Sequence, residues 1–299
     1  MQLFGPTEEV AGGHIKPPFH MAGIVPVHMY EPMEDFKLPW HASMLQIGPN
    51  YMAVERAVAE CVWAGADSIW VVVGDEVQPL IRKRLGEYLL EPIGLEKQKP
   101  KEKRIPIYYC PITVWDRDMR DSHAWAALHG CYIADKISGR ISNWTRPELF
   151  YIAWPFGIYD PERIRQHRNQ IRDRKYKKCS LLSYNGLTVK DGEYLGFTIK
   201  WSEAKRLRKR VWHKQTLKSG WNGEYIEPED RYNARWFQVE DIFDDLDDSE
   251  YEIIEVEEYS RIEDWNTYLK CLNDVKIEKN YDIFNTGNAG YRGVGNKIN

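Results

Sequence analysis

Unbroken apolar runs alternate with stretches in which apolar residues recur every three or four positions, and this alternation sets out the first half of the chain. Ala22 to Val27 is a short apolar run and predicts a buried strand. Between Tyr51 and Ala64, Val54, Ala57, Val58 and Cys61 fall at i, i+3, i+4 and i+7, on one face of a helix. Asn50 is placed to cap its start and Gly65 to end it. Ser68 to Val73 is continuous rather than alternating, as in a parallel strand covered on both faces. Val77 to Leu90 predicts a helix, Arg104 to Cys110 a strand and His123 to Ile137 an alanine-rich helix. Leu149 to Trp154 predicts a strand, and Pro161 to about Arg174 a basic helix. This order is the βαβ pattern of an α/β domain. It predicts that strands at 22–27, 68–73, 105–110 and 149–154 are parallel neighbours, with 68–73 interior.

After residue 178 the texture changes. Residues 180–201 carry Asn-Gly and Asp-Gly turns between β-rich runs, which are hairpin signals. Ser202 to His213 reads as a basic helix, Trp236 to Leu246 and Ile262 to Leu272 as further helices, and Tyr251 to Val256 as a strand. The organisation expected is an N-terminal arm (1–21), an α/β core (22–178), a β-rich basic insertion (179–235) and a C-terminal part of the core (236–272). A tail rich in Asn and Gly (273–299) follows, either disordered or docking on a partner as an arm.

Composition narrows the classes. With 299 residues, 43% hydrophobic and 29% charged, the chain is rich enough in apolar residues to build a core, which excludes a wholly disordered protein. No apolar run reaches the ~18 residues of a membrane span, and the N-terminus lacks the pattern of a signal peptide. The five cysteines form no CxxC pair and read as reduced thiols; a cytoplasmic protein is expected. The weight of Tyr, Trp and Asn with a short polar tail has the flavour of a bacteriophage protein acting in the host cytoplasm.

The net charge of −4 hides blocks. Residues 162–178 and 200–218 each carry eight Lys/Arg, whereas 240–258 carries eleven acids and no base. Either the basic blocks meet phosphate, on a nucleotide or a nucleic acid, or the acidic stretch folds against them and the charges cancel. Cancellation is the expectation, because no nucleic-acid-binding motif accompanies the basic run.

Candidate chemistry gathers after the strands, where open α/β sheets hold ligands. The long loop after the first strand holds His28, Glu34, Asp35, Lys37 and His41, with Lys37 able to neutralise a phosphate. Asp75 and Glu76 follow the second strand, as Mg²⁺ ligands or as acids at a helix start. Asp116, Asp118, Asp121 and His123 cluster before the alanine-rich helix, as ligands or as a capped helix start. Residues 154–161 are aromatic and end in Asp160-Pro161; their rings either stack on a base or sugar or pack at a sheet edge. A P-loop and a Gly-x-Ser-x-Gly elbow are absent from the sequence.

Leu45-Gln46-Ile47-Gly48-Pro49-Asn50-Tyr51-Met52-Ala53-Val54-Glu55-Arg56-Ala57-Val58 and then Ala64-Gly65-Ala66-Asp67-Ser68-Ile69-Trp70-Val71-Val72-Val73-Gly74 resemble the sugar-nucleotide nucleotidyltransferases, which share the GT-A-like Rossmann fold with many glycosyltransferases. Asp121 to Leu128 sits where that family has its Gly-Thr-Ala helix start, and Arg261 to Tyr268 is similar to the stretch that closes its core. The family's phosphate-cradling Gly-x-Gly-x-x-Arg loop has no counterpart: no glycine occurs between Val27 and Gly48. The family's Lys-Pro pair is Asn50-Tyr51 here, and the carboxylate nearest its metal-holding position is Asp160.

The resemblance implies a mixed α/β sheet of GT-A/nucleotidyltransferase type carrying a β-rich basic insertion. It implies nucleotide or sugar-nucleotide transfer with Mg²⁺ or Mn²⁺. Asp75, Asp116, Asp118 and Asp160 are the metal candidates, and Lys37 and Asp160 the catalytic ones. His28, Lys37, Asn50, Ser122 and His123 are candidates to hold the nucleotide. Two alternatives stay open: a glycosyltransferase with Asp116-x-Asp118 as its metal site, and a catalytically lost assembly protein using its tail and charge blocks for protein contacts.

Overall fold

The computed structural model describes residues 19–27, 38, 40–96, 103–112, 122–143, 145–172, 178–213, 224, 237–280 and 283–284. The chain begins with β1 (Met21–Pro26), a small antiparallel pair β2 (Gln46–Gly48) and β3 (Tyr51–Met52), then α1 (Ala53–Ala64) and β4 (Ser68–Val72). Next come α2 (Gln78–Leu85), β5 (Tyr88–Leu90), α3 (Pro92–Glu96), β6 (Arg104–Cys110), α4 (His123–Ile141) and β7 (Leu149–Ile152). The rest comprises β8 (Gly157–Ile158), a 3-10 helix at Pro161–His167 running into α5 (Arg168–Arg172), β9 (Cys179–Ser183), β10 (Phe197–Lys200), α6 (Trp201–His213), α7 (Glu240–Phe243), β11 (Tyr251–Glu255), β12 (Ser260–Arg261) and α8 (Trp265–Asp274).

Eight strands form one mixed sheet in the order β11-β9-β10-β7-β1-β4-β6-β5. The four strands expected to be parallel neighbours are so: β7, β1, β4 and β6 lie side by side, with Ile24 opposite Trp70 and Ile152. β4 is interior, its five residues all buried. Only β10 and β5 among the sheet's strands run against this direction, because β9 is antiparallel to β10 and β11 is parallel to β9. The β-rich stretch after residue 178 thus contributes β9 and β10 to the main sheet.

Two glycines show how helices reach both faces. A Cβ on Gly23 would lie 2.7 Å from Cys61 Cβ of α1. One on Gly130 of α4 would lie 2.6 Å from Ile24 Cγ2. Gly23 and Ile24 are successive residues of β1 and point to opposite faces, so α1 and α4 cover opposite sides of the sheet. All five cysteines are buried and free of disulfides. No helix among the described residues is long and apolar enough to cross a membrane.

Several expected boundaries move for local reasons. The helix expected from Tyr51 starts at Ala53: Met52 is its N-cap, and the Met52 backbone N–H donates to Glu55 at 2.9 Å. Asn50 is not the cap; it takes a positive φ of 53° in the turn between β2 and β3. Gly65 ends the helix as expected, at φ 98°. The helix expected over 77–90 stops at Leu85, because Gly86 takes φ 80° and Tyr88–Leu90 pairs with β6. Of the segment expected as helix from 236 to 246, the described residues 237–246 hold the four-residue α-helix α7.

The acidic stretch folds against the basic ones. Arg163 meets Glu257 at 2.5 Å, Lys200 meets Glu250 at 2.8 Å, Arg210 meets Asp244 at 3.1 Å, and Arg206 pairs with Asp245. Such exposed pairs contribute about 0–1 kcal/mol each. What anchors the acidic stretch is its apolar set, with Ile242, Phe243 and Leu246 buried in the core.

Candidate functional site

The connection from β1 through α1 leads to β4 across one face, and that from β6 through α4 leads to β7 across the other. β1 therefore lies between neighbours reached from opposite sides. Outside the carboxyl ends of the strands at such a switch point, open α/β sheets have a crevice. At that edge lie residues 73–77 after β4, Pro111 and Ile112 after β6, Ser122 and His123 at the start of α4, and 153–160 after β7. Loop 184–196, between β9 and β10, reaches the same edge.

Asp75 and Glu76 leave β4 there, exposed. The N-cap of α2 is Val77, without a side-chain cap bond, and Asp75 and Glu76 stand just before it at the helix start. Ser122 does cap, its Oγ accepting from Trp125 N at 3.2 Å. His123 is buried behind it, with Nδ1 3.0 Å from the Tyr194 hydroxyl and its ring stacked on Phe156 at 5.3 Å. Burial pushes the Tyr194 hydroxyl up to about 12.

Asp160 caps the 3-10 helix at Pro161–His167, accepting from Glu162 N at 3.0 Å, and lies 4.0 Å from Arg163. Asn50 is held by Arg84, which donates to its carbonyl at 2.6 Å and its Oδ1 at 2.9 Å. That leaves its side chain fixing a turn. His41 accepts from Ser43 N at 3.2 Å and caps a short 3-10 turn. His28, Glu34, Asp35, Lys37, Asp116, Asp118 and Asp121 lie outside the described residues.

The aromatic residues 154–159 are core. Trp154, Phe156 and Tyr159 are buried, and Trp154 Nε1 donates to Leu195 O at 3.1 Å. Of the two readings open for them, packing holds.

The sequence reading missed what lies beneath this wall. Arg56 and Glu60, four apart on α1, are both fully buried and pair at 2.9 Å. Arg56 also donates to Trp154 O at 2.5 Å, and Glu60 accepts from the Tyr151 hydroxyl at 2.7 Å and from the Tyr159 hydroxyl. Gly196 N donates to the Tyr159 hydroxyl at 3.3 Å. Burial pushes the Glu60 carboxyl above its usual range, while Arg56 and the two tyrosines pull it back. One carboxylate thus ties α1 to β7 and to the segment after it, and through the Tyr159 hydroxyl to Gly196 just before β10. Three charges, Glu55, Arg56 and Glu60, inside an otherwise apolar helix were the available signal.

Mg²⁺ and Mn²⁺ take oxygen ligands, and Asp75 and Asp160 are of that type. Among the described residues no three His, Cys, Asp or Glu side chains gather in one group; Mg²⁺ that also binds substrate phosphates is commonly held by one or two carboxylates.

No protein-family model matches the chain, and no curated protein matches it in sequence. Solved structures do match in fold. A Bacillus anthracis protein, named as a glucose-1-phosphate thymidylyltransferase in complex with sucrose, matches with a TM-score of 0.51 at 11% identity, covering 87% of this chain and 98% of that one. The Mycobacterium tuberculosis protein Rv0371c matches with a TM-score of 0.46 at 12% identity, over 86% of this chain and 99% of that one. The fold of this chain is nucleotidyltransferase-like.

Proposed function

We propose that the crevice at the carboxyl edge binds a nucleotide or nucleotide sugar and that the chain is a nucleotidyltransferase-like enzyme. The observation that carries the reading is the switch point itself: the connection from β1 to β4 crosses one face and that from β6 to β7 the other, and Asp75 and Asp160 follow β4 and β7 at that edge. In the reaction proposed, a phosphate oxygen of a sugar phosphate attacks the α-phosphorus of a nucleoside triphosphate. The bond to the β-phosphate oxygen breaks and pyrophosphate leaves. Such chemistry rests on positioning and charge neutralisation. Mg²⁺ or Mn²⁺, when bound, would neutralise phosphate charge, with Asp116 and Asp118 joining Asp75 and Asp160 as the residues to hold it. Lys37, in the loop after β1, would neutralise a further phosphate oxygen, and His28 would line the same crevice. Ser122 and His123 contribute by fixing the start of α4.

One observation favours a second reading. Without a glycine between Val27 and Gly48, a backbone cradle for a triphosphate has no obvious source. A glycosyltransferase taking a nucleotide sugar at Asp116-x-Asp118 needs no such cradle.

The test is a thermal-shift series with nucleoside triphosphates and nucleotide sugars, each with Mg²⁺, Mn²⁺ or chelator. A ligand at about 100 times its Kd adds about 2.7 kcal/mol to stability. Asp116→Asn combined with Asp118→Asn should remove the metal-dependent part of that shift. A shift that persists in the double variant would make these acids caps rather than ligands. Stabilisation by nucleotide sugars alone would select the second reading.

A further inference from the structure

Among the described residues β11 is the last strand of the sheet on its side. Val256 N donates to Ser183 O at 2.8 Å, so the backbone groups of Ile254 and Val256 face β9. By the alternation of a parallel ladder, those of Ile253 and Glu255 face away from the sheet. An outward row of donors and acceptors is a template for another strand.

Three further features bear on what would pair there. Ile253, at the centre of the strand, is 63% exposed and offers an apolar contact to a cross-strand neighbour. Glu252 and Glu255 flank it; no described cation pairs with either, and Glu255 accepts only from the Asn185 backbone N–H at 2.8 Å. Where the strand ends, a cleft of about 480 Å³ opens between Glu255–Glu257 and the 3-10 helix at Glu162–His167. A cleft of that size suits a ligand segment.

Self-association through this edge is disfavoured, since two copies would set Glu252 and Glu255 against their own kind. We infer that the outer edge of β11 docks an extended basic segment of a partner protein, which adds a strand to the sheet and runs on into the adjoining cleft. Main-chain hydrogen bonds supply affinity, while Glu252 and Glu255 select Lys or Arg on the incoming strand. The surface is separate from the crevice between β1 and β7, and the inference does not depend on the proposed enzyme activity.

The probe is a fluorescein-labelled, N-acetylated nonapeptide of alternating Lys and Val, followed by anisotropy with the full chain. Binding should be roughly micromolar and weaken with salt. A Glu–Val peptide should not bind, and a Lys–Gly peptide of equal charge should bind at least about tenfold more weakly. Ile253→Pro removes an N–H that faces away from β9, a position an edge strand tolerates, and should weaken binding by about tenfold or more. Glu252→Lys with Glu255→Lys should do the same without touching the backbone, which keeps the test decisive if the proline variant fails to fold. No binding of the Lys–Val peptide would overturn the inference. So would equal affinity for the Lys–Gly peptide, which marks charge attraction alone, or an unchanged affinity in the double charge variant.

Discussion

Arg56→Ala should destabilise the protein by about 3–5 kcal/mol, the range for leaving one member of a buried ion pair uncompensated. Glu60 would lose its guanidinium partner while staying fully buried, since both side chains are out of solvent. It would keep its hydrogen bonds from Tyr151 and Tyr159, which favour the charged form but do not cancel the charge. Burial already raises the Glu60 carboxyl, and Arg56 is the largest influence holding it down. Removing Arg56 therefore raises it further. A carboxyl whose folded value lies above its unfolded one binds more protons in the native state, so the variant should lose stability as pH rises above about 4.3, until the raised folded value is passed. Urea unfolding at several pH values checks both statements. Arg56→Met with Glu60→Leu should recover much of the loss, because no charge then stays buried. A single variant within about 0.5 kcal/mol of the parent would show that the network contributes little.

Gly157→Ala should cost at least about 3 kcal/mol, at the upper end for overpacking. A Cβ at Gly157 would lie 1.8 Å from the Tyr194 carbonyl oxygen. The obstacle is backbone, so no side-chain rotation relieves it, and either β8 or loop 184–196 must move. Both are fixed: Gly157 pairs with Arg261, and the Tyr194 backbone N–H donates to the Tyr259 hydroxyl at 2.8 Å. Since Tyr194 meets His123 at the start of α4, the displacement should also reach the crevice and weaken ligand binding. Chemical denaturation gives the first effect and a ligand titration the second. A variant as stable as the parent would contradict the packing described for this corner.

The sequence made the centre of the sheet legible because parallel strands buried on both faces carry continuous apolar runs. Ser68 to Val73 is such a run, bounded by Gly65 and Gly74, and its neighbours follow from βαβ handedness. The strands at the sheet's other end were harder. The Asn185-Gly186 turn is real, at φ 52° and 79°, but it joins an isolated bridge between Tyr184 and Leu187 rather than two long strands. The partner of β9 begins only at Phe197. A turn signal gives local geometry and not the distance to the next strand. Helix ends failed where a tertiary contact competes, as where Tyr88–Leu90 extends the sheet instead of α2. For the site, the position of Asp75 beyond β4 followed from strand order, and that Val77 rather than Asp75 is the N-cap of α2 required the structure. Residues 154–159 looked equally suited to stacking or packing because aromatic composition is the same in both. Only burial separates them.

The most direct measurement is hydrogen exchange of the full chain with and without a saturating nucleoside triphosphate or nucleotide sugar in Mg²⁺. Slowed exchange is expected in the segments that follow β1, β4 and β6 in sequence, 28–37, 73–77 and 111–123, with little change along β11 and α8. Slowed exchange confined to other parts of the chain, or none with any nucleotide that binds, would contradict a ligand site at the switch point between β1 and β7.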